Sequence, residues 1–227
     1  MGRWKPDSRG RLQEAALALY SERGFDQTTA AQIAARAGLT ERTFFRHFAD
    51  KREVLFGDSA LLQDRIVAGV AGAPAADGPL DAVSRGLDAA AALLGQFRRD
   101  LSRQRQMVIA ANPELREREL AKLADYAATV ATTLRQRGVS ETQATLAAES
   151  GMTVLRVALQ RWATGDDGRE LRAIMRDAVA ELRAVAAGFA DHGLGASVGR
   201  IRSRADPANS TSAATTSVTN PSAPGTS

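Results

Sequence analysis

Thr40, Glu41, Arg42, Thr43, Arg46 and His47 fall within one eight-residue stretch, and the phenylalanines beside them, Phe44 and Phe48, are four apart. Apolar residues at that spacing share one face of a helix, which leaves the polar six on the other. Hydroxyl, carboxylate, guanidinium and imidazole groups on one helical face make up a donor and acceptor set able to read base edges in a DNA major groove. Arg42 is the strongest reader among them. Its guanidinium fork can donate to guanine O6 and N7 together, a contact worth about 1–3 kcal/mol against a wrong base. Glu41 can accept from cytosine N4. Lys51, in the first turn of the element that follows, is placed to reach a phosphate, a contact that sets register rather than sequence preference.

Presenting those groups requires a short helix, a tight turn and a second helix, and residues 28–55, TTAAQIAARAGLTERTFFRHFADKREVL, carry the signals in that order. Thr28 or Thr29 caps a helix whose Ile33, Ala34 and Ala37 recur at the helical period. Gly38 stands where the helix must end with positive φ. Leu39 plugs the turn, and Thr40 caps the second helix. Asp50 and Glu53 form a variant capping box for a further helix. A preceding helix has Leu12, Ala15, Ala16, Leu19 and Tyr20 on one face and stops at ERGF, residues 22–25. Arg3, Trp4, Lys5 and Arg9 precede it, as a basic arm for the minor groove or as solvated terminal charge.

This run resembles the DNA-binding signature of the TetR family of bacterial transcription regulators, over about 45 residues. The resemblance implies DNA contacts at Thr28, Thr29, Thr40, Glu41, Arg42, Thr43, Phe45, Arg46, His47 and Lys51. It further implies a homodimer on a palindromic double-stranded operator, and a small-molecule effector whose binding in the second domain releases the DNA. Two residues depart from the family pattern: Ala30 replaces the usual Val or Met, and Phe45 the usual Tyr. Phenylalanine has no hydroxyl to donate to a phosphate, so its ring either touches sugar or a thymine methyl or simply packs. The segment QMVIAANPELRERELAKLADYAATVATTLRQRG is similar, less specifically, to regulators near the mycofactocin-locus regulator of the same family. That similarity implies an acyl-coenzyme A-like effector, with Arg98, Arg99, Arg103 and Arg105 either meeting phosphates or forming a solvated face.

The 227 residues contain only 5% aromatics and are rich in helix formers, so an all-α fold with almost no sheet is expected. An N-terminal three-helix helix-turn-helix domain takes residues 1–53, ordered from about residue 8; a larger helical ligand-binding and dimerisation domain takes 54–192; a disordered Ser/Thr/Ala/Pro-rich tail takes 193–227. One long helix is expected from Val54 to Val70, a loop over 71–79, and further helices from Leu80, from Arg98, from Pro113 to near Gly138, and from a Ser140–Gln143 capping box to Gly165. Asp166 and Asp167 would start the last one. Leu93, Phe97, Met107, Tyr126 and Trp162 are large side chains facing inward, either as pocket walls or as ordinary core. Leu171, Met175, Ala178, Leu182, Val185 and Phe189 follow a heptad-like spacing which, with Val154 and Ala158, can form a dimer seam or an internal one.

Composition closes several other routes. The chain has no cysteine, so disulfides, thiolate metal sites and cysteine nucleophiles are excluded. Its two histidines, His47 and His192, lie at opposite ends of the sequence, and no metal site or cofactor is expected. Phe56-Gly57-Asp58-Ser59 resembles the nucleophile block of GDSL hydrolases but has neither a preceding strand nor a spaced histidine and acid, so no enzyme is expected. No apolar window is long enough to span a membrane, and a cytoplasmic protein is expected. Residues 1–56 carry +3 of the formal +4 charge, as a phosphate-binding surface requires. A general or architectural DNA binder without a ligand is the alternative reading.

Overall fold

The computed structural model describes residues 8–96, 98–165 and 168–192, the last four of these for the backbone only. Expectations for the N-terminal arm before residue 8, Phe97, Asp166 and Asp167, the Phe189 side chain and the tail from 193 lie outside the described residues. The described residues up to 185 form one compact unit; of the second, only the end of a helix, to residue 192, is described.

Among the described residues there are helices and turns and no strand. They run α1 Ser8–Arg23, α2 Ala30–Arg36, α3 Glu41–His47, a 3-10 turn Glu53–Phe56, α4 Ser59–Ala71, α5 Pro79–Leu94, α6 Arg99–Ala111, α7 Pro113–Gln136, α8 Glu141–Thr164 and α9 Leu171–His192. The fold is all-α, with a helix-turn-helix head ahead of a larger helical body. Pro79 and Pro113 occupy the first turns of α5 and α7, where the missing N–H costs nothing. Gly138, at φ 88°, provides the left-handed residue after α7. Ser140 starts α8 without the expected cap, because its hydroxyl is paired with Gln143 Oε1 at 3.1 Å rather than with a backbone N–H.

Instead of one helix from Val54, the chain makes the 3-10 turn, breaks at Gly57 and Asp58, and restarts at Ser59. Asp50 Oδ1 accepts from Arg52 N at 2.7 Å and Glu53 N at 3.1 Å, which caps the turn. Val54, Leu55 and Phe56 are consecutive yet all buried, an arrangement that one face of a helix cannot provide. They join the head's core with Leu12, Leu19, Ile33, Phe44 and Phe48, while Val108, Ile109 and Leu115 from the α6–α7 corner enter the same cluster. Gly57 fits tightly, since a Cβ there would lie 2.7 Å from Gln13 Nε2 and 2.9 Å from the Phe48 ring.

The body's core draws on α4, α5, α7, α8 and α9. Val154, Ala158, Leu171, Met175 and Ala178 belong to it, each 5% exposed or less, so these members of the expected dimer seam are internal. Their periodicity is that of α9 against its own neighbours, flanked by ion pairs from Arg172 to Asp88 and Arg183 to Asp81 on α5. Leu182 is half-buried, and Val185 is 60% exposed.

Two contacts fix the body to the head and to itself. Glu53 accepts from Arg118 and, at 3.2 Å, from Lys122, tying the 3-10 turn to α7. Burial would raise the Glu53 carboxyl pKa, but the bonds from the two cations outweigh it and hold the group below the usual carboxylate range. Where α4 crosses α5, the helices meet through glycines: a Cβ on Gly86 would lie 2.7 Å from Ile66 O, and one on Gly69 2.7 Å from Gly86 Cα.

Two outcomes are expected. Helix propensity alone favours Gly86→Ala by about 1 kcal/mol, but overpacking costs about 1–3 kcal/mol. Denaturant titration should show Gly86→Ala losing up to roughly 2 kcal/mol, whereas Gly188→Ala, where a Cβ meets nothing within 4 Å, should lose none. Glu53→Gln should cost roughly 1–2 kcal/mol near neutral pH, less than a fully buried pair because 21% of the Glu53 side chain is open to water. Since the folded pKa of Glu53 is depressed, its contribution is complete above the unfolded value of about 4.3 and disappears as pH falls through the folded one. The stability gap between wild type and Glu53→Gln should therefore close on acidification; a gap that persists in acid would show that the charge is not its source.

Candidate functional site

The α3 surface is built by its caps and its two anchors. Thr40 accepts from Thr43 N at 3.2 Å, and the two hydroxyls lie 2.9 Å apart. Phe44 and Phe48 are buried with ring centroids 5.7 Å apart, so the helix can present only its other side. On that side Thr40, Glu41, Arg42 and Arg46 are exposed, Thr43 and His47 are half-buried, and Phe45 is 53% exposed with its ring edge-on to Phe44. Arg42 and Arg46 make no ion pair or hydrogen bond with a described residue, which leaves both guanidinium groups available. Gly38, at φ 65°, makes the turn, and Arg11 donates to Ala37 O just before it.

Three expected contacts are placed differently from the sequence expectation. Thr29, not Thr28, caps α2, exchanging bonds with Gln32 at 3.2 and 2.9 Å in a full capping box. Thr28 is 1% exposed and donates to Gly24 O at 2.8 Å; it closes the α1–α2 turn and cannot touch DNA. Lys51 Nζ donates to Phe25 O at 2.8 Å and Asp26 O at 3.3 Å and lies 4.2 Å from the Phe25 ring centroid. Its ammonium braces the end of the head with two of its three N–H groups, which leaves one for a phosphate. His47 Nε2 is buried and bonds to no described residue.

A cavity of about 350 Å³ lies between head and body. Leu17 of α1, Val54 to Phe56 of the 3-10 turn, and residues of α4 through α8 form its walls. Of the expected pocket residues, Leu93, Tyr126 and Trp162 line it. Met107 does not: it is 64% exposed, because Val108 and Ile109 take the inward positions of α6. Tyr126 donates to Ser59 O at 3.0 Å, and burial pushes its phenol up to about 12.

The sequence left Arg98 and Arg105 open between a ligand contact and a solvated face, and it did not indicate Leu101 or Ser102 as their neighbours. Leu101, Ser102 and Arg105 follow Arg98 at intervals of three, four and seven, which is one helical face, and all four line the cavity. That period was visible, but a row of charge on a helix ordinarily signals solvent. Arg105 donates through Nε to Leu55 O at 2.8 Å and through Nη1 to Glu119 at 3.5 Å, with its guanidinium 5.1 Å from the Phe56 ring centroid. Desolvation pulls its pKa below the ordinary arginine value, Glu119 opposing. Arg99 is used elsewhere, donating to Trp162 O at 2.9 Å and Gly165 O at 2.8 Å.

Comparison with known proteins agrees with this geometry. Residues 12–56 match the family model of bacterial regulatory proteins, tetR family. The HTH-type transcriptional regulator TcmR of Streptomyces glaucescens is 37% identical over 91 residues, covering 40% of this chain and 39% of that protein. The match thus spans about two fifths of the curated relative's length. Among solved structures, a SmeT–triclosan complex superposes with a TM-score of 0.55 at 19% identity, covering 79% of this chain and 91% of that one; SmeT is the repressor of a Stenotrophomonas maltophilia efflux pump. FadR from Bacillus subtilis in complex with stearoyl-CoA gives a TM-score of 0.55 at 18% identity, covering 76% of this chain and 96% of that one. At such identities these likenesses establish the fold alone. What the comparisons show is a match of residues 12–56, the helix-turn-helix head, to the DNA-binding segment of bacterial regulatory proteins of the tetR family.

Proposed function

We propose that the protein is a transcription regulator, a homodimeric repressor that binds a palindromic operator through α3 and is released by a small molecule held in the cavity. The observation that carries this reading is the α3 surface: two partner-free guanidinium groups, an exposed ring and capped hydroxyls, presented by a helix whose opposite face is locked into the head. In this reading residues 1–53 read DNA and 54–192 sense the ligand and pair the subunits, in the cytoplasm beside the chromosome. It describes a binding protein rather than an enzyme.

Ligand response, as against plain architectural binding, is supported by the cavity, whose walls come from both head and body. A ligand held there can favour one arrangement of the two, and it releases DNA only if it binds that arrangement more tightly, by a coupling of about 1–3 kcal/mol. SmeT with triclosan and FadR with stearoyl-CoA hold ligands on the same fold. For this chain an acyl-coenzyme A is the less favoured effector. Of the four arginines from Arg98 to Arg105 only Arg98 and Arg105 line the cavity, and Arg98 is already paired with Asp100. Pairing of subunits is best supported on the outward side of α8, where Leu146, Ser150, Thr153, Val157 and Gln160 recur at helical spacing and Leu146 is 63% exposed.

Titration of the full chain against duplex from its own upstream region and a scrambled control, over a salt series, tests the reading. Wild type should prefer its own duplex, and Arg42→Ala should lose about 1–3 kcal/mol of that preference with little change in salt slope. Equal binding of both duplexes by wild type would favour the architectural alternative. Light scattering should give twice the chain mass of 24.1 kDa, and Val157→Arg should return the species to one chain mass.

A further inference from the structure

The charged groups around the cavity are unequally satisfied. Asp58 accepts from Gln13 Nε2 at 3.1 Å and lies 3.9 Å from Arg9, while Lys122 donates to Glu53 at 3.2 Å. Arg98 is paired with Asp100, and Glu14 is exposed. Arg105 is the exception. Its Nε is bonded to a neutral carbonyl, that of Leu55, and its carboxylate neighbour Glu119 is 3.5 Å away, at the limit of a hydrogen bond. Nη2 donates to no described residue, although a guanidinium has five N–H groups to place. Surrounded by protein, the side chain still keeps 28% of its surface open, and it stands in the cavity wall.

We infer that the cavity takes a compact, largely apolar molecule carrying one carboxylate or acidic phenol, and that the anionic oxygen is bound by the open Nη edge of Arg105. The inference rests on the cavity being the ligand site proposed above. Leu17, Val54, Leu62, Leu93, Leu155 and Trp162 supply the apolar walls. At about 350 Å³ the space lies at the small end of ordinary ligand sites. A cationic ligand would meet Arg105 directly, and the acids that could offset it already accept from other groups or face solvent. An anion instead completes the hydrogen bonding of a desolvated guanidinium, in the charge-assisted form that is roughly twice as strong as a neutral bond. The same guanidinium holds Leu55 O through Nε, and that carbonyl belongs to the 3-10 turn that leads out of the head. The ligand class and the route to the DNA-binding surface therefore meet at one side chain.

The test uses three probes of one shape, 2-naphthoate, 2-naphthamide and 2-naphthylmethylammonium, titrated calorimetrically into the full chain as wild type, Arg105→Gln and Arg105→Lys. In wild type the acid should bind about tenfold more tightly than the amide, and the cation most weakly. Arg105→Gln should reduce the acid–amide gap to about twofold or less, mainly through weaker binding of the acid, with the amide still bound, which shows the cavity intact; Arg105→Lys should keep part of the gap. Amide or cation binding as tight as the acid, or a gap that survives Arg105→Gln, would overturn the inference. A parallel DNA titration separates it from the reading it rests on. Arg105-dependent binding of naphthoate without any loss of DNA affinity supports the ligand class and counts against ligand-driven release. Failure of all three probes to bind overturns the cavity as the site, and this inference with it.

Discussion

Burial of Val54, Leu55 and Phe56 between the head and the α6–α7 corner is the interaction on which the rest of the structure depends. A three-helix head of about 50 residues exposes too much of its surface to hold itself together strongly, as small domains bury the smallest fraction of their chain. Here its core is completed from the body: Val108, Ile109 and Leu115 arrive from residues far along the sequence and close over the turn. Glu53 and Arg105 then add charged ties at the same place, one from α7 and one from α6. The head is thus neither an independent bead on a linker nor fused to the body along its whole length. Its α3 surface is held by local caps and anchors, while its orientation is held at the turn.

This arrangement explains why the head was so legible in the sequence. Capping hydroxyls act over three residues, a left-handed glycine acts over one, and Phe44 and Phe48 share a face because they are four apart. Signals of that range do not need the rest of the chain. Local range also leaves the choice between Thr28 and Thr29 open: either threonine can cap, and it is the Gly24 carbonyl, a detail of the α1–α2 turn, that claims the Thr28 hydroxyl and leaves the cap to Thr29. Lys51 shows the opposite limit, because the carbonyls that hold its ammonium lie 25 and 26 positions earlier and no local pattern indicates them.

The body was legible as helices but not as contacts. Periodicity states that Leu171, Met175 and Ala178 share a face, and it is silent on whether that face meets its own α5 and α8 or another subunit; the structure assigns it to the internal core. Met107 faces solvent because the β-branched pair after it, Val108 and Ile109, takes the inward positions, and size on an amphipathic helix does not by itself fix which side chain points in. The polar cavity wall on α6 is more instructive. Arg98, Leu101, Ser102 and Arg105 have the period of a buried stripe and the composition of a solvated one, so the sequence alone leaves both readings open and the tertiary fold decides between them.

A desolvated cation retained on that stripe demands a physical reason. Arginine in a largely apolar cavity is destabilising unless its N–H groups are met, and a hydrophobic residue of similar volume would serve the packing at least as well. The Phe56 ring and the Leu55 carbonyl recover part of the cost, but both belong to the 3-10 turn, so the partial recovery couples the guanidinium to the head. In the proposed reading, a group half-satisfied by one partner and open to another gives a ligand in the cavity a handle on the turn. A ligand moves the turn only by the difference in its affinity for two positions of it. A tightly bound molecule that left the Arg105–Leu55 bond untouched would occupy the cavity without acting through this path, whatever its affinity.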